Sequence, residues 1–213
     1  VMGLSATAAA GVMALARTVD AVTDPVMGMI AERTRSRLGR LRPWLILGAL
    51  PLGVITILTF TVPDLDANGK LWWAYTTYLL FGILYTVVTI PYSVLTASIT
   101  SDYAARTKLS TWRMACAFTG GLTFSVGTKP FVDLFADPAD GFQALMAVFA
   151  VIATGLLVTT FATAEERVTP APEQQLTLKL SMQAVFLNTP LLIVIGIFCC
   201  GMLSFTVRQT LTV

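Results

Sequence analysis

Two carboxylates and a guanidinium, Asp20, Asp24 and Arg17, lie inside an otherwise apolar stretch running from about Ala8 to Ile30. That stretch is long enough to cross a bilayer, where each ionisable group costs on the order of 2.5–3.5 kcal/mol on insertion scales. Groups placed so deep usually face a protein-lined cavity and take part in moving ions or substrate. The aspartates are four apart and Arg17 is three before Asp20, so all three share one helical face. Two readings stay open: a small-cation or proton site with oxygen ligands, placed first, and a charge-paired structural core.

A second polar set sits in another apolar run, Tyr85-Thr86-Val87-Val88-Thr89-Ile90-Pro91-Tyr92-Ser93. Pro91 removes one helical hydrogen bond and frees a carbonyl. Thr86 and Thr89 share a face, and a hydroxyl supplies an oxygen ligand without charge, the donor type that hard cations prefer. Against this stands the ordinary use of Thr and Ser in membrane helices, hydrogen bonds between helices that average about 0.6 kcal/mol. Arg113, next to Trp112, either snorkels to headgroups or presents its planar fork to a hydroxylated or anionic substrate. Lys129 reads as a snorkelling lysine, and Gly120, Gly121, Ser125 and Gly127 as sites of close helix packing.

The elements that must hold these residues are membrane helices. Of 213 residues, 55% are hydrophobic and 12% charged, with mean hydropathy +0.75, against about a quarter charged in soluble domains. Six spans are predicted: Ala8–Ile30, Pro43–Val62, Leu71–Ser98, Leu109–Val132, Phe142–Thr163 and Thr189–Leu211. Arg33, Arg35, Arg37, Arg40 and Arg42 crowd the first connection, which reads as a topology signal and a headgroup contact, not as a nucleic-acid site. Lys and Arg concentrate in the odd connections, which are therefore cytoplasmic. A short amphipathic stretch, Leu176 to Phe186, is expected along the membrane surface, and Trp44, Trp72, Trp73 and Tyr75 form the interfacial belt. Cys116, Cys199 and Cys200 define no disulfide framework or metal motif, and the chain has no histidine. No nucleophile–base pair or phosphate loop is present, and carboxylates stacked on one helix do not flank a substrate as glycosidase acids must, so an enzyme is not expected. Starting at Val1 and stopping at Val213, the sequence reads as a fragment.

Taken in order, Asp20-Ala-Val-Thr-Asp24-Pro25-Val-Met-Gly28, Glu32-Arg33-Thr-Arg-Ser-Arg37-Leu-Gly39-Arg40-Leu-Arg42-Pro43-Trp44, Tyr85-Thr86 with Ile90-Pro91, Arg113, and Asn188-Thr-Pro190 resemble the glycoside–pentoside–hexuronide:cation symporters. These are the melibiose permease group of the major facilitator superfamily. The resemblance implies an all-α, polytopic bundle of twelve helices, of which this chain covers about helices 2 to 7. Residues 1–163 would be most of the N-terminal bundle without its first helix, 164–188 the central cytoplasmic loop, and 189–213 the first helix of the C-terminal bundle.

It also implies roles. Asp20, Asp24 and Thr86 match the coupling-cation site, with Na⁺ or H⁺ as the ion and no cofactor. Arg113 matches a sugar contact, with Thr89, Ser93 and Arg17 as further substrate-facing candidates. Thr89 and Ser93 stand where the melibiose permease has an acidic sugar ligand and a stacking tryptophan, which puts melibiose itself in doubt. Gly28, Glu32, Arg33, Arg37, Gly39 and Arg40 match the cytoplasmic loop motif. The expected protein is a symporter of a sugar, glycoside, uronate or related small polar solute, in the cell (inner) membrane, touching lipid and monomeric at full length. A sodium-coupled lysolipid transporter of the same fold, and a non-transporting membrane receptor or assembly subunit, are the rival readings.

Overall fold

The computed structural model describes residues 6–168 and 187–211. They form six helices: α1 (Ala6–Arg33), α2 (Arg42–Phe60), α3 (Ala67–Ile99), α4 (Tyr103–Val132), α5 (Pro138–Thr163) and α6 (Thr189–Leu211). The chain divides into two compact units, Val1–Thr169 and Pro170–Val213. The amphipathic stretch expected at Leu176 to Phe186, and most of the 164–188 connection, lie outside the described residues.

Each helix overlies a predicted span, but several begin earlier, because a helix starts at its cap and not at its first apolar residue. Asp66 accepts from the Gly69 N–H at 3.0 Å, Asp102 from Ala104 and Ala105 at 3.2 and 3.1 Å, and Asp137 from Ala139 at 2.8 Å. Each aspartate satisfies amides that the first turn leaves without a helical partner. In the second unit, Asn188 does the same for the Leu191 N–H at the start of α6.

Among the described residues, three helices are long and apolar enough by composition to cross a membrane: α2, Asn68–Ile99 of α3, and α5. α1 and α4 have the length, 28 and 30 residues, but carry charge within it. Pro25, Pro51 and Pro91 sit inside α1, α2 and α3 without ending them. Leu47, Leu50, Val54, Val151 and Leu156 are exposed, as lipid-facing residues are, while Gly48, Ala49 and Ala150 turn inward.

Helix directions follow from the contacts. Arg42 meets Phe161, Ala49 meets Thr154 and Thr61 meets Gln143, so α2 and α5 run antiparallel. Asp24 meets Thr86, and Gly11 lies against Tyr75, so α1 and α3 run parallel, as two helices separated by one return crossing must. Met27, Ala31, Leu41, Leu45, Val88 and Leu95 form the core at the end where the arginine-rich connection lies. Gly120, Gly121 and Gly127 have nothing within 4 Å of where a Cβ would stand. The close packing expected of them is therefore not made among the described residues, where nearly all of α4 is exposed.

Candidate cation and substrate site

The parallel register of α1 and α3 stacks two rungs. On the first, the Thr86 hydroxyl donates to Asp24 Oδ1 at 2.8 Å, and Thr86 is only 4% exposed. By giving its proton to the carboxylate, the hydroxyl keeps its lone pairs for another partner. On the second rung Asp20 lies beside Gly82, where a Cβ would stand 3.2 Å from Asp20 Oδ1. The other Asp20 oxygen is 3.6 Å from Arg17, whose side chain is 83% exposed against 26% for Asp20. An ion pair with so open a partner is weak and easily exchanged. One carboxylate and a hydroxyl thus meet where α1 packs on α3, with the second carboxylate on the adjoining turn of α1. Among the described residues no group of three or more His, Cys, Asp or Glu side chains comes together, so a cation here would have carboxylate and hydroxyl oxygens as its protein ligands.

Arg113, on α4, lies against another part of α3. Its guanidinium stands 5.7 Å from the Tyr92 ring centroid and its Nη1 donates to the Thr96 hydroxyl at 3.4 Å. Tyr92 and Thr96 are six and ten residues beyond Thr86, about 9 and 15 Å along a helix axis. Thr89 and Ser93 fall on α3 between Thr86 and Thr96, Thr89 half-buried and Ser93 exposed. The structure therefore joins Asp24 and Thr86, sets Asp20 one turn away beside Gly82, and gives Arg113 Tyr92 and Thr96 as its partners.

The arginine-rich connection is tied down from a distance. Leu41, the residue before α2, offers no side-chain cap. Instead the Glu166 carboxylate, beyond the end of α5, accepts from the Arg40, Leu41 and Arg42 N–H groups at 3.0, 2.8 and 3.1 Å. Gly39 makes room with φ +104°, and a Cβ there would stand 2.5 Å from Glu166 Oε1. Arg42 donates to the Phe161 carbonyl through Nε and Nη2 at 3.0 and 2.6 Å and covers the Phe161 ring. Arg167 and Val168 donate their N–H groups to the Ser98 carbonyl. Glu32, Arg33, Arg35 and Arg37 remain exposed, and Gly28 is half-buried. Trp44 is part of this assembly, since its indole N–H donates to Thr34 at 3.0 Å.

Sequence reasoning missed Gly82 and Glu166. Gly82 carried a faint signal, for it stands four before Thr86 as Asp20 stands four before Asp24. Glu166 carried none, because its partners are more than 120 residues away.

Comparison with known proteins places the chain in a family. The family model for MFS/sugar transport proteins matches residues 1–213. The inner membrane symporter YicJ of Escherichia coli (strain K12) is 44% identical over 160 residues, covering 74% of this chain and 35% of the relative. The isoprimeverose transporter of Lactiplantibacillus pentosus is 34% identical over 218 residues, covering 100% of this chain and 46% of the relative. A sodium-dependent lysophosphatidylcholine symporter of Danio rerio is 34% identical over 110 residues, 51% of this chain. The chain spans less than half the length of each. It belongs to the glycoside–pentoside–hexuronide:cation symporters of the major facilitator superfamily. It is accordingly part of a multi-pass protein of the cell membrane, from a family of transporters and not of enzymes.

Proposed function

We propose that the whole protein is a secondary active symporter that couples Na⁺ or H⁺ to the movement of a sugar, glycoside or uronate by alternating access. The observation that carries this reading is the contact of Asp24 with Thr86 across α1 and α3, with Asp20 on the adjoining turn. A bound cation would neutralise carboxylates otherwise held at high cost in the membrane. Raised affinity for substrate would follow, and linkage requires substrate to raise cation affinity by the same factor. Arg113, held against Tyr92 at an exposed position, is the candidate substrate contact, its fork suited to hydroxyl pairs or a carboxylate. Thr89 and Ser93 lie between it and the cation site, and Arg17 is the exchangeable counter-ion of Asp20. The full-length protein is taken to work as a monomer.

The test is uptake into membrane vesicles carrying the full-length protein, with a panel of labelled glycosides, pentoses and uronates. An inward sodium gradient at fixed pH is compared with a pH gradient without sodium. Accumulation driven by either supports symport and names the ion, while binding with no flux under both gradients would sink it.

A lysolipid substrate has one observation of its own. An apolar cavity of about 250 Å³ opens between α2, α3 and α5, lined by Leu52, Phe81, Tyr85, Phe149 and Leu157 among others. The sugar reading takes precedence because the isoprimeverose transporter matches the entire chain and the lysolipid symporter about half of it. Labelled lysophosphatidylcholine in the same panel separates the two.

A smaller expectation concerns Thr86. Replacing it with valine keeps the volume and removes the hydroxyl. A hydrogen bond to a charged group is worth about 1.5–3 kcal/mol, so apparent cation affinity should fall about 10- to 150-fold. Cation titration of initial uptake rates measures this, and an unchanged half-saturating concentration would remove Thr86 from the ligand set.

A further inference from the structure

Arg42, Arg106 and Arg113 each reach across to a neighbouring element, but they are held differently. Arg42 donates through Nε and Nη2 to the Phe161 carbonyl, and Arg106 through the same two atoms to the Thr100 and Ala97 carbonyls. Backbone oxygens fix both of those forks. Arg113 makes one hydrogen bond among the described residues, to the Thr96 hydroxyl at 3.4 Å, which is long for an N–H···O bond. No carboxylate among the described residues pairs with it. One turn away on α4 stand Leu109, Ser110, Cys116 and Ala117, none of them an anion. What remains to hold it is the Tyr92 ring, with its centroid 5.7 Å from the guanidinium carbon, inside cation–π range. Tyr92 is exposed and takes no part in the core.

Resting on the reading of Arg113 as the substrate contact, we propose that Tyr92 is a positioning residue for substrate recognition. Its ring face fixes the Arg113 guanidinium and leaves the rest of the fork's N–H donors to the hydroxyls or carboxylate of the transported solute. An arginine without such a partner keeps its rotamer freedom and must lose it when substrate binds; a ring beside it takes that loss in advance and raises affinity. The choice of an aromatic partner has a reason of its own. A carboxylate would occupy the same donors that the solute needs, whereas a ring attracts the cation through its quadrupole and leaves those donors open. Thr96 is the weaker second hold.

The experiment measures initial uptake into vesicles carrying the full-length protein, with labelled methyl glucoside, methyl xyloside and methyl glucuronide as probes. Tyr92→Leu and Tyr92→Met remove the ring, and Tyr92→Phe keeps it. The half-saturating solute concentration should rise about 2- to 30-fold in the two ringless variants, the range of one cation–π contact. Maximal rate per transporter should hold, as expected when binding alone is weakened. Tyr92→Phe should return the parent value. With Arg113→Lys, whose ammonium is a point charge without a planar fork, adding Tyr92→Leu should raise the concentration by much less than Tyr92→Leu does alone.

A parent value in both ringless variants would overturn the proposal. So would Tyr92→Phe matching Tyr92→Leu, which would make the phenol hydroxyl the contact, or fold-changes that multiply in the double variant, which would set the ring directly against the solute. Failure of both ringless variants to accumulate would make Tyr92 a packing residue and overturn it too. Arg113→Lys tests the reading beneath. A parent value there removes Arg113 as the substrate contact, whereas a raised value there beside unchanged ones in Tyr92→Leu and Tyr92→Met removes only the role of Tyr92. A parent protein that takes up none of the three probes removes both.

Discussion

Asp24→Asn in the full-length protein is expected to abolish cation-stimulated uptake while leaving the fold intact. Asparagine keeps an oxygen that accepts the Thr86 hydroxyl, so the 2.8 Å contact between α1 and α3 survives the change. What disappears is the negative charge. If the carboxylate serves only to hold the helices, the substitution is nearly silent, or stabilising, because a costly charge has left the membrane interior. If it binds the coupling ion, the stimulation goes, and coupling free energies of ordinary size correspond to about 5–150-fold. Uptake measured with and without the driving cation, beside a thermal midpoint, keeps the two outcomes apart. Parent-like cation dependence would return Asp24 to a structural role. The equivalent change at Asp20 is less clean, since it also dissolves the pair with Arg17, and its loss of coupling should come with a change in the solvent-facing charge.

Glu166→Ala should cause the largest loss of stability of any exchange around the arginine-rich connection. Three consecutive N–H groups at the start of α2 converge on that one carboxylate, and alanine leaves them to water or to nothing. At about 1–3 kcal/mol for each polar group left without its partner, and about 2–4 °C per kcal/mol for a chain of this size, the midpoint should fall by about 6 °C or more. Glu166→Gln keeps one acceptor oxygen and should lose less. Gly39→Ala reaches the same end from the other side, since a methyl group at φ +104° would stand 2.5 Å from Glu166 Oε1 and leave the backbone in a region that alanine disfavours. Thermal unfolding in detergent orders the series. A midpoint unmoved by both Glu166→Ala and Gly39→Ala would show that the connection holds α2 without them.

These two sites differ in how much the linear chain disclosed. Asp20 and Asp24 announced themselves, because charge within an apolar stretch is rare and four-residue spacing fixes a common helical face. Thr86 was visible as a candidate, but its residue type and spacing alone did not distinguish it from Thr89, three residues on; the family resemblance singled it out. The register of α1 against α3 then brings Thr86 to the Asp24 carboxylate. Arg113 shows the opposite case. Its charge was plain in the sequence, yet its contacts with Tyr92 and Thr96 place it along α3 from the carboxylates.

The sequence by itself determined the helices, their number among the described residues and their approximate ends. All of these depend on short-range quantities: apolar runs of membrane length and aspartates one residue before a helix. Only the tertiary structure decided which oxygen meets which. The Glu166 cap on α2, the gap at Gly82 and the Asp24–Thr86 bond join residues between 62 and 126 positions apart. Pairing at that range is set by how whole helix faces fit, and periodicity along one helix carries no record of its neighbour's register.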